Sequence, residues 1–245
     1  LFMRREPYVT KWKQIRDYEL PFIGDFDEDD DKSKMRTSKI LDGVAWESSQ
    51  IFAAGVMSGM TPPSRQWFKL TTANNALKDN TQIGTVLDER QEILMAVLAK
   101  SNFYNAVFSV YTELPYGQAP MGIFQHPKMG VQFVPYTIGT YALDSGADGT
   151  INMFARKFYM TAAQMAQQFG EENLPRNAQA ALKNGSAYKN KFKIVWLVEE
   201  NSLHQPDKPG RKNMPYSSYY WVEGSGSDDF LYVGGFEEWP LPVAR

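Results

Sequence analysis

The chain has 245 residues, 43% hydrophobic and 14% aromatic, enough for one large core or two smaller ones, which excludes a disordered tail. With 26 Lys+Arg against 28 Asp+Glu the formal charge is -2, so no bulk positive field recruits nucleic acid or anionic lipid. The absence of cysteine removes disulfide frameworks, Cys-ligated zinc, iron–sulfur clusters and thiol nucleophiles.

In chain order, Tyr8, Val9, Trp12, Ile15 and Tyr18 recur near helical spacing and predict a first amphipathic helix over residues 7–20, stopped by Pro21. The acid run Asp27, Glu28, Asp29, Asp30 and Asp31 has no apolar period and reads as a solvated loop. A second helix is expected over residues 38–59, with Ser38 as N-cap and an apolar set that includes Ile40, Leu41, Val44, Ile51, Phe52 and Val56. Gly43, Gly55 and Gly59 each cost about 1 kcal/mol relative to alanine, so they imply close helix contacts or a bend. Asp42, Glu47, Ser48, Ser49 and Gln50 interrupt the stretch 40–60, so no membrane span is expected. Thr61, Pro62 and Pro63 end it. A third helix over residues 85–109 is expected to bury Val86, Leu87, Ile93, Leu94, Val97, Leu98 and Tyr104 and expose the charged run 88–92.

After Val110 the period shortens toward 2. Strands are expected over residues 121–125, 131–136, 140–143, 150–159, 191–199, 217–222 and 230–236. Turn-rich loops at 144–149 and 224–229 should reverse the chain. Thr161 and Gln164 fit a capping box, Gly170 a helix stop, and a further short helix is expected over 176–183 with Gly185 as its stop. Residues 201–214 read as an exposed loop. The fold class is α+β: a helical layer over 1–110, then an antiparallel β-rich part over 111–245 with helices near 161–184. The chain begins at Leu1 without a signal pattern and ends at Arg245 without a helix stop, so both ends read as cut from a longer chain.

Chemistry is sparse. His126 sits before Pro127 in a turn and His204 lies in the polar loop, so both read as surface residues rather than as bases or metal ligands. Residues 55–60 carry glycines but no lysine, which argues against a phosphate cradle. The 144–149 loop opens like a calcium loop, yet Gly146 replaces a ligand and Ala155 stands where the bidentate acid belongs. Trp46, Trp67, Phe68, Tyr219, Tyr220 and Trp221 lack the interleaved basic residues of a base-stacking groove and read as core, with an oligomer interface the next choice. No catalytic, cofactor or metal residues are nominated.

Several passages in one order resemble the head-to-tail connector, or portal, family of short-tailed bacteriophages. These are a Trp12 helix ending at Tyr18-Glu19-Leu20-Pro21, and Ala53-Ala54-Gly55-Val56-Met57-Ser58-Gly59-Met60 followed by Thr61-Pro62-Pro63-Ser64-Arg65-Gln66-Trp67-Phe68. Next come Lys100-Ser101-Asn102-Phe103-Tyr104, Phe133-Val134-Pro135-Tyr136-Thr137, the passage from Phe154 to Gly170, and Trp239-Pro240-Leu241-Pro242-Val243-Ala244-Arg245. The resemblance implies a non-enzymatic ring subunit, typically one of twelve, at one capsid vertex of the virion, assembled in the host cytoplasm. Its partners would be further copies of itself, the major capsid protein, the terminase large subunit, tail adaptors and duplex DNA passing through without sequence specificity. The chain would be the wing, without stem, clip and crown. Trp46, Trp67 and Phe68 are the residues expected near ring contacts. The alternatives are a tail adaptor or minor capsid protein, or a metal-dependent hydrolase using residues 27–31.

Overall fold

A computed structural model describes residues 1–26, 39–74, 77, 80–226 and 229–245. The acid run at 27–31 and the expected cap Ser38 lie outside the described residues. The chain folds into two compact units that are not contiguous in sequence. The first comprises 1–17, 21–38 and 137–240, and the second 18–20, 39–136 and 241–245.

In the first unit, helix α1 (Phe2–Tyr18) starts ahead of Pro7 and contains it, at the loss of one helix bond to the Met3 carbonyl. It buries only Val9 and Trp12. Trp12 stacks on Phe26 at 6.3 Å, and Asp25 N–H donates to the Ile138 carbonyl at 2.8 Å. Gly139, at φ +98°, is required here because a Cβ would lie 2.0 Å from the Asp25 carbonyl oxygen.

Five antiparallel strands follow: β3 (Tyr141–Ser145), β4 (Ile151–Thr161), β5 (Lys191–Glu200), β6 (Tyr216–Val222) and β7 (Phe230–Phe236), in that spatial order. The 144–149 loop closes the β3–β4 hairpin with Gly149 at φ +79°, and Gly224 follows β6 at φ +85°. Helix α5 (Ala162–Phe169) opens on the expected capping box, Thr161 Oγ1 accepting from Gln164 N and Gln164 Oε1 from Thr161 N. Helix α6 (Arg176–Lys183) follows. Met165, Phe169, Ala178 and Ala181 from these helices pack on Met160, Ile194 and Leu231 of the sheet. A row of rings, Tyr141, Phe154, Trp196 and Tyr220, runs across the strands at centroid separations of 5.3 to 5.9 Å. The buried Trp196 indole N–H is satisfied by Ser218 Oγ at 3.0 Å.

The second unit is built on α2 (Val44–Met60), α3 (Thr81–Lys100) and α4 (Phe103–Glu113) with the three-stranded sheet β2-β1-β8: β1 (Ala119–His126), β2 (Gly130–Pro135) and β8 (Val243–Ala244). Its core joins Ala53 of α2, Phe103, Ala106, Val107 and Val110 of α4, Ala119 of β1 and Phe133 of β2. The expected second helix is shorter at its start, with Gly43 as N-cap. The expected helix 85–109 is two helices meeting at 73°. The break is made by Asn102, whose side chain donates to the Phe133 carbonyl at 2.6 Å and accepts from Phe133 N–H at 2.9 Å. Ser101 Oγ donates to Leu98 O and accepts from Phe103 N, capping both sides of the corner. A long-range strand contact thus overrides a continuous helical period. Strand β8 was not expected at all; two residues are too few to show a period.

Candidate functional site

The aromatic residues expected near ring contacts all fall in the second unit, and each is half-buried. Trp67 is stacked flat on Phe103 at 5.9 Å, meets Phe68 edge-on at 4.9 Å and directs its indole N–H to the Tyr104 hydroxyl at 3.4 Å. It therefore packs against the core while keeping one side outward. Trp46 lies on α2, apart in sequence from that pair, and its carbonyl accepts from Ser49 Oγ. Trp67 and Phe68 line a cleft of about 620 Å³ with Gln66, Lys69, Asp88, Gln91 and Glu92. Gln91, only 3% exposed, ties the cleft floor: its Oε1 accepts from Leu70 N–H at 2.8 Å, fixing the 66–70 segment along α3.

That hydrogen bond turns one residue of the expected polar face of α3 inward, while Asp88, Glu89, Arg90 and Glu92 stay exposed and Leu87, Val97 and Leu98 stay partly buried as their period predicts. The helix buries Gln91 and leaves Val86, Ile93 and Leu94 exposed by 51%, 59% and 43%. On α2 the expected apolar set also splits, with Ala53 inward and Val44, Ile51 and Phe52 exposed by 63%, 73% and 47%. Gly55 and Gly59 have open space where a Cβ would project, so the close contact their cost implied is not made among the described residues. Period alone could not say which face turns inward, because both faces carry apolar residues; the unexplained glycines were the available signal.

The remaining candidates are structural. His126 Nδ1 accepts from the backbone N–H groups of Lys128 and Met129, holding the β1–β2 turn. His204 Nδ1 contacts the Asn213 carbonyl at 2.8 Å inside an ordered loop. In the 144–149 hairpin, Thr150 donates to Asp148 from hydroxyl and backbone, which lowers the Asp148 pKa. Tyr220 belongs to the ring row, stacked on Trp196, rather than to a free platform.

Three other groups are perturbed. Hydrogen bonding from Lys157, then Lys193, holds Glu223 below the usual glutamate range. Burial pushes Glu199 up. Burial also lowers the Arg5 guanidinium, which donates to the Tyr141 carbonyl and lies against the Phe2 ring at 4.6 Å. Among the described residues no three His, Asp or Glu side chains converge on a metal position.

These features define an α+β protein whose distinctive region is an exposed helical and aromatic surface. A family model described as bacteriophage head to tail connecting protein matches residues 1–245, and the chain belongs to that family. It is 31% identical over 234 residues to the probable portal protein of Bordetella phage BPP-1, covering 95% of this chain and 42% of that protein. It is 29% identical over 243 residues to the portal protein of Salmonella phage epsilon15, covering 98% of this chain and 44% of that one. The chain thus spans less than half the length of these curated relatives.

Proposed function

We propose that the protein is a structural portal subunit. Copies of it form a ring, a dodecamer, at one capsid vertex of the virion. A separate terminase pumps duplex DNA through the ring during packaging, and the DNA leaves through the attached tail at ejection. The subunit acts as a conduit and not as an enzyme. The described chain corresponds to the wing of such a subunit, with a helical part over 1–110 and a β-rich part over 111–245. Its partners are the neighbouring copies, the major capsid protein, the terminase large subunit and tail adaptors, met after assembly in the host cytoplasm. Trp46, Trp67 and Phe68 lie near the contacts between copies.

The observation that carries this reading is the family match over the full 245 residues. The near-zero charge of -2 agrees with it on physical grounds. A conduit must let DNA slide, whereas a strongly cationic surface would hold it through counterion release. The half-exposed Trp67 and Phe68 suit a contact surface, where large rings supply apolar area at low entropic cost. The test is electron-microscope class averaging of the full-length protein. Rings with a central opening wide enough for duplex DNA are expected, and a population of monomers alone would overturn the reading.

A further inference from the structure

Helices α2 and α3 each carry an exposed stripe with one spacing. On α2 it is Val44, Ser48, Ile51, Gly55 and Ser58; on α3 it is Val86, Arg90, Ile93 and Lys100, with the half-buried Val97 between the last two. Both step i, i+4, i+7, i+11, i+14, the pattern of a seam that meets another helix. Each stripe has apolar side chains in water: Ile51 is 73% exposed and Ile93 59%. Such patches on a folded unit mark an interaction surface. The α2 stripe is a shallow groove, because Gly55 has nothing within 4 Å of its Cβ position. The α3 stripe is a ridge of larger side chains.

The charges at the ends of the two stripes are complementary. Glu47 flanks the start of the α2 stripe. Its far end is flanked by Arg65, whose guanidinium donates to the Ser58 carbonyl at 3.4 Å. On α3, Glu89 lies toward the start and Lys100 at the end. Among the described residues none of these four exposed side chains has an ion-pair partner. The interval from Glu47 to Ser58 equals that from Glu89 to Lys100, roughly 16 Å of helix. Antiparallel docking brings Glu47 to Lys100 and Arg65 to Glu89 together. In that docking Ile51 lies within one helical turn of Ile93 and Gly55 within one turn of Arg90, whose stem the absent side chain leaves room for.

We infer that the exposed stripe of α2 in one copy packs antiparallel on the exposed stripe of α3 in the next. Because the two surfaces differ, the contact is heterologous and propagates around a ring. The inference rests on the ring reading above and names the elements that make its contact, with a second copy of this chain as the occupant. A later segment of the same polypeptide is the competing occupant, and the complementary end charges favour the second copy.

The experiment is sedimentation and class-averaged imaging of the full-length protein and four variants: Glu47→Lys, Lys100→Glu, the double swap, and Gly55→Leu. Circular dichroism of each confirms the fold, and at Gly55 nothing lies within 4 Å of the position a Cβ would take. Each single reversal is expected to weaken assembly about tenfold or more through like-charge contact, the double swap to restore it, and Gly55→Leu to abolish it. Rings from every variant, or single losses that the double swap leaves unrepaired, overturn the α2–α3 contact while the ring reading stands. Absence of rings from the unsubstituted protein overturns both, and that outcome is visible before any variant is made.

Discussion

The five-stranded unit and the helical unit handle apolar surface differently. In the first, β4 and β5 lie in the middle of the sheet, α5 and α6 cover one side of it, and Phe154, Met165, Ile194 and Val198 reach zero exposure. In the second, α4 is buried along much of its length, while α2 and α3 turn toward it only partly and leave Val44, Ile51, Val86 and Ile93 in water. The first unit also exposes large apolar side chains, but Phe22, Tyr188 and Leu203 among them sit in turns rather than along a helix face. The second keeps an apolar surface that is costly alone and useful in an assembly. The deepest burial therefore lies in the sheet, and the exposed apolar helix faces lie in the second unit.

The sharpest way to break this contrast is a pair of truncations. Phe154→Ala removes a ring stacked on Tyr141 and edge-on to Trp196 and should cost about 3–5 kcal/mol in denaturant unfolding of the subunit. Ile93→Ala should change the same measurement by less than about 0.5 kcal/mol. Comparable losses at the two positions would mean that the α3 face is covered within the subunit.

A smaller effect is expected at the corner between α3 and α4. Asn102→Ala leaves the Phe133 N–H and carbonyl without that side chain and should cost roughly 1–3 kcal/mol. Amide exchange at Phe133 should accelerate with it. Unchanged protection there would show that the corner is held by packing alone.

The smallest effect separates the units by pH. Glu223 is held below its ordinary value of about 4.5 by Lys157 and Lys193, so its stabilisation is present above that value and fades as pH falls through the lower folded one. Glu223→Gln should lose less than about 1 kcal/mol at neutral pH, since the carboxylate is about one-third exposed, and nothing in strong acid. A loss that persists in acid would point to packing rather than charge.

Much of the fold was legible because its signals are local. The capping box at Thr161, helix α6 and strand β7 need only a few neighbouring residues to specify them, and each stands where its residues predict. The helix break at Asn102 was not legible, since its cause is a strand that begins at Gly130. Nor was the burial of Gln91, since a polar side chain turns inward only when a partner such as Leu70 N–H is brought to it.

The candidate surface divides the same way. The residue order that relates the chain to phage connectors, its near-neutral charge and the presence of costly helix glycines are properties of the linear chain, independent of packing. Tertiary structure alone decided which side of α2 and α3 faces water and that Gly55 meets nothing among the described residues. It also decided that Trp67 spends one face on Phe103. A helical period marks an apolar stripe but not the partner that covers it, because that choice is made by contacts far apart in sequence.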